Sequence, residues 1–220
     1  MKPEKSAYRV PWLPLVGIST VGVGLFVIGV VRNQSFDFWY LPYNLTLAFV
    51  PLFLSLGLRK LLKDRGWEYW PSVVMTVLWV LFLPNSFYIV TDFLHLNEHP
   101  RVDILQDVIM LMQFSVAGLI AGMASLFIIH QELTKRMKRG LAGVTVAFIL
   151  FACSFGIYLG RELRWNSWDV VIQPVRLVAD ILQHLNPFMY PSAVVMTLSF
   201  FAALGSLYAF FWQAAKAKNK

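Results

Sequence analysis

The chain has 220 residues, 58% of them hydrophobic and 14% charged, with a mean hydropathy of +0.61. Soluble domains run at about 45–50% apolar and about 25% charged, so this composition excludes an ordinary water-soluble domain. The formal charge of +7 does not indicate a nucleic-acid partner, because the basic residues sit in short clusters between apolar runs and form no long basic face.

A bilayer core of about 30 Å needs about 20 apolar residues of helix at about 1.5 Å each. Six segments meet that length, at roughly 12–31, 41–58, 70–93, 104–130, 141–160 and 190–212. The first follows Lys2, Lys5 and Arg9 but is too long for a signal peptide and has no small-x-small cleavage site after it, so it reads as an anchor. With the N-terminus inside, 14 Lys and Arg residues fall on the cytoplasmic side against five outside, namely Arg32, Arg101, Arg161, Arg164 and Arg176. That bias predicts that the N-terminus and the C-terminus both lie on the cytoplasmic side. Eight of the 12 acidic residues gather on the opposite, outer side, which directs the search for function there. The one cysteine, Cys153, lies in an apolar run; it permits no intramolecular disulfide and has no histidine near in sequence to activate it.

The third span ends in LPNSFYIVTDFLHL at 83–96. Pro84 removes a backbone donor, Asn85 sets an amide within the membrane where it needs a partner, and Thr91, Asp92 and His95 cluster at the mouth. The alternative for Asn85 is a local bond to carbonyls released by Pro84. The fourth span opens on Asp103 and Asp107, and Gly118 and Gly122 give it a small-residue ridge; Ala152, Gly156 and Gly160 give the fifth another. These ridges predict close helix packing inside the bundle.

The fifth span leaves through FGIYLGRELRWNSWD at 155–169. Arg161 and Arg164 share a face at a helix C-terminus, where the dipole favours cations, and paired guanidinium groups suit a phosphate or carboxylate. Structural ion pairs with the outer carboxylates account for the same charges. From Trp168 onward, Val171, Ile172, Val175, Val178, Leu182 and Leu185 recur at helical spacing opposite Asp169, Gln173, Arg176, Asp180 and Gln183. This predicts an amphipathic helix over about 168–186, kinked or beginning at Pro174, either a lid on the bundle or in contact with lipid. The fold class expected is therefore all-α: one domain over 1–220, a bundle of six transmembrane helices with an interfacial amphipathic segment.

The PNSFY, TDFLHL and LGRELRWNSWD runs at 84–88, 91–96 and 159–169 resemble the bacterial membrane-protein family called domain of unknown function 1361, from about Tyr43 to the sixth span. The resemblance implies a multi-pass membrane protein of bacterial origin, hence of the bacterial cytoplasmic (inner) membrane, and carries over no catalytic residue. His99 is not expected as a family feature.

Three functional classes stay open. The first is binding of an anionic lipid headgroup or envelope solute at the outer face, with Asn85, Asp92, His95, Asp107, Arg161, Arg164, Asn166 and Asp169 as the ligand-binding set. The second is a membrane-embedded hydrolase or transferase with Asp92 and His95 as acid–base candidates. The third is a structural subunit with a protein partner in the membrane. A metal held by His95 and His99 would need a third ligand such as Asp103 or Asp107, and Pro100 biases His99 out of helical geometry, so no metal and no cofactor is assigned. No phosphate-binding glycine loop, dinucleotide fingerprint or HExxH occurs.

Overall fold

A computed structural model describes residues 10–97 and 104–217. Among the described residues every element is helical: α1 Trp12–Asn33, α2 Tyr40–Asp64, α3 Trp70–Tyr88, a 3-10 segment Ile89–Asn97, α4 Ile104–Arg136, α5 Arg139–Glu162, α6 Asp169–Ile172, α7 Pro174–His184 and α8 Pro191–Ala217. Six of these helices are long and apolar enough to cross a membrane, the third counted together with its 3-10 extension, and they coincide with the six expected segments. His99, Pro100, Arg101 and Asp103 lie outside the described residues, and so do the N-terminal basic residues.

The chain packs as two compact units, one within Arg9–Ser125 and one within Leu126–Lys220, and α4 runs from the first into the second. In the first, α2 packs along α3, and hydroxyls and an indole tie the helices where lipid offers no hydrogen-bond partner. Trp79 Nε1 donates to Ser125 Oγ at 2.7 Å, and Ser125 Oγ in turn donates to the Pro51 carbonyl at 2.9 Å. Ser86 Oγ donates to the Ala48 carbonyl at 2.6 Å. The glycine ridge of α4 is what lets these bonds close. A Cβ on Gly118 would lie 2.8 Å from the Ser86 carbonyl oxygen, and one on Gly122 would lie 2.5 Å from the Phe87 ring. The ridge is thus an internal contact, as the spacing implied.

In the second unit α5 packs on α8, with Phe151 and Phe201 edge to face at 5.7 Å. A two-residue step, Met137 and Lys138, joins α4 to α5. Between α5 and α8 the chain makes the amphipathic excursion expected over 168–186. It is broken at Gln173 (φ −135°, ψ 54°), and α7 begins with Pro174 in its first turn, where a missing N–H costs nothing.

Candidate functional site

In the first unit the candidate residues depend on how α3 ends. The third span was expected to stay α-helical to residue 93, but it tightens to a 3-10 helix at Ile89 and continues so to Asn97. Nine residues is long for this geometry, whose runs seldom exceed about four. Ile89 is fully buried beside Gly118, and its carbonyl accepts a bond from Ser115 Oγ at 3.3 Å, so α4 holds the first turn. With about three residues per turn, Ile89, Asp92 and His95 fall on one face.

Asp92 is only 1% exposed, and Asn44 Nδ2 from α2 donates to its Oδ2 at 3.0 Å. The His95 ring, half-buried, lies 5.4 Å from the ring of Tyr40, one turn before Asn44 on α2. Thr91 is buried, and its hydroxyl finds no hydrogen-bond partner among the described residues. Asn85 turns back on its own helix and donates to the Phe82 carbonyl at 2.9 Å, while the carbonyl that Pro84 deprives of its donor belongs to Val80, four residues earlier. Asp107 is buried in the first turn of α4, the helix end that favours an anion.

The second unit builds its site from the exit turn of α5. Leu163 is the C-cap and Arg164 takes a left-handed backbone (φ 57°), which brings the N–H groups of Leu163 and Trp165 back to the Leu159 carbonyl at 3.1 and 3.2 Å. Arg164 therefore lies past the end of α5 and does not share with Arg161 the helix face that their spacing had implied; Arg161 is half-buried and Arg164 exposed. Trp165 is clamped from α7: its Nε1 donates to Asp180 Oδ2 at 3.0 Å, and the Arg176 guanidinium carbon lies 5.6 Å from its ring centroid. Asn166 and Asp169 close a reciprocal turn. The Asn166 N–H donates to Asp169 Oδ2 at 2.7 Å, and the Asp169 N–H returns to the Asn166 carbonyl at 3.0 Å. One side-chain and one main-chain bond thus hold these two residues in the turn they shape.

Two histidines that look solitary in the sequence sit in aromatic clusters. His184 donates through Nδ1 to the Asp180 carbonyl at 2.8 Å and lies 3.9 Å from the ring of Tyr190 and 5.9 Å from that of Tyr158. His130 of α4 stacks on Trp212 at 3.8 Å and 14°, and its Nδ1 shares a 2.8 Å hydrogen bond with the Tyr208 hydroxyl. Nearby in sequence the buried Glu132 is neutralised by Lys135 at 2.7 Å and Arg136 at 3.0 Å. The i, i+4 pair Tyr208 and Trp212 was the only available sign of the His130 cluster, and its partner is 78 residues away.

Of the eight expected ligand-binding residues, Asn85, Asp92, His95 and Asp107 belong to the Arg9–Ser125 unit, and Arg161, Arg164, Asn166 and Asp169 to the Leu126–Lys220 unit. Within the second set the structure joins Asn166 to Asp169 directly. Among the described residues no three His, Cys, Asp or Glu side chains gather closely enough to hold a metal ion.

A family model described as "Protein of unknown function (DUF1361)" matches residues 43–204, which takes in both sets of candidate residues, and the chain belongs to that family. No curated protein and no solved structure matches it.

Proposed function

We propose that this family member is a bacterial cytoplasmic-membrane protein, with both termini cytoplasmic, that binds an anionic lipid headgroup or envelope solute at its outer face. The Lys and Arg bias, 14 residues against five, supports that orientation and sets the exit turn of α5 outside. The observation that carries the reading is Arg164. A left-handed backbone costs a non-glycine residue about 1–2 kcal/mol, and glycine would hold the same turn without that cost. What arginine adds at this position is an exposed guanidinium beside a rigid platform. Arg161 lies three residues before it, in the last turn of α5, and Arg176 of α7 lies over the Trp165 ring. Guanidinium groups at a membrane surface pair with phosphate oxygens by charge-assisted, bidentate hydrogen bonds.

The shared ligand chemistry is a phosphate ester of net negative charge. Native mass spectrometry of the detergent-purified protein, titrated with phosphatidylglycerol, phosphatidylcholine or free glycerol phosphate, tests it. The expected result is retention of phosphatidylglycerol over phosphatidylcholine, weakened about tenfold or more by Arg161→Ala and by Arg164→Ala. Retention of glycerol phosphate instead assigns the site to a soluble solute. Wild-type retention in both variants, or failure of both to accumulate, removes the reading.

A second reading, a membrane-embedded hydrolase or transferase, draws on the 3-10 turn that sets Asp92 and His95 on one face. It requires turnover that His95→Gln abolishes while binding survives.

A further inference from the structure

We infer that α7 is an in-plane membrane helix, whose outward apolar face enters the acyl boundary of the bilayer beside α5 and α8. Its residues divide into three stripes. Leu177, Ile181 and His184 face the protein, where Leu177 and Ile181 join a cluster with Tyr158 and Leu159 of α5 and Ala193 of α8. Arg176 and Gln183 form an exposed polar stripe. Val175, Val178, Leu182 and Leu185 form the third and are exposed by 82%, 53%, 66% and 56%. A helix in water has no use for that third stripe, and a helix buried as a lid would turn it inward. A helix at a boundary among protein, water and lipid needs all three.

The depth of α7 follows from what it touches. Tyr158 and Leu159 lie in the last two turns of α5, and Ala193 lies in the first turn of α8. Both spans end at this level, so α7 sits at the rim of the hydrocarbon and not above it. The apolar stripe also continues along the chain. Phe188 and Met189 are 95% and 67% exposed, and they lead directly into α8, where Val195 and Leu198 face outward on a membrane-spanning helix. The face is therefore continuous with a surface already given to lipid. This placement uses neither Arg161 nor Arg164 and stands apart from headgroup binding.

Spin labels at Val175, Val178, Leu182 and Leu185, and at Arg176 and Gln183, each placed through a single cysteine in a Cys153→Ala background, test it in vesicles of pure phosphatidylcholine. The expected result is that the first four collide with oxygen in preference to a water-soluble nickel chelate, and that Arg176 and Gln183 show the reverse. Four apolar positions as open to nickel as Gln183 would put the face in water and overturn the inference. Shielding from both reagents would overturn it too, by showing that a second copy or another protein covers the face. A measurement without substitutions runs beside it: a phosphatidylcholine carrying a photoreactive acyl chain should label the wild-type peptide spanning 175–189, and an unlabelled peptide would contradict the placement. Because this lipid has no net charge, failure here leaves the phosphatidylglycerol result untouched, and the converse holds.

Discussion

The 3-10 segment at 89–97 and the excursion at 163–190 both leave a membrane span, and both carry candidate site residues, yet they resolve their polarity in opposite ways. The first turns polar groups inward: Thr91 and Asp92 are buried, Asn44 meets the carboxylate, and Leu94 is left exposed. The second uses polar groups as fasteners, through Trp165 to Asp180 and Asn166 to Asp169, and presents arginines and an apolar stripe outward. Buried polarity that is bonded specifies how helices register. Polarity and apolarity displayed together on a surface mark a place where something else binds. On this contrast the two regions should respond differently to substitution.

The largest effect is expected at Phe87, fully buried at the end of α3 against Gly122. Phe87→Ala should cost about 3–5 kcal/mol, read from thermal unfolding in detergent. A cost under about 1 kcal/mol would mean that the junction of α3 and the 3-10 segment is loosely packed, and the first half of the contrast would fail.

Asn44→Leu comes next. It removes a donor from a carboxylate that is 1% exposed, and a loss of about 1–3 kcal/mol should follow. An unchanged melting temperature would show that Asp92 is adequately held without Asn44, and this half of the contrast would fail.

The smallest effect belongs to the excursion. Leu182→Ser alters a side chain that is 66% exposed and should change stability in detergent by less than about 0.5 kcal/mol. A loss above about 1 kcal/mol would mean the stripe packs against protein, erasing the difference between the regions.

The spans were legible because about 20 consecutive apolar residues have one use, and the small-residue ridge of α4 because close packing in lipid needs it. The amphipathic period of α7 was legible too, and so was a break or start at Pro174. Which way its apolar stripe points was not, since periodicity defines faces without orienting them. The change from α to 3-10 at Ile89 escaped the sequence because it depends on Gly118 and Ser115 of α4, more than twenty residues away. His130 escaped for the same reason, its partners lying on α8. Asn166 and Asp169 have the residue types of a ligand-binding pair, and their reciprocal turn supplies a structural role that accounts for their chemistry. Arg164 is the converse: its left-handed backbone, invisible in the sequence, is what separates the role of its main chain from that of its guanidinium.

That separation provides the most direct measurement. Arg164→Gly keeps the backbone turn and relieves its strain, so the protein should melt at the same temperature or be stabilised by up to about 1 kcal/mol. Its affinity for phosphatidylglycerol, measured on the same sample, should fall about tenfold or more. A variant that folds as well and binds phosphatidylglycerol as tightly as the wild type would contradict the account, because the guanidinium at the exit of α5 would then have no ligand to hold.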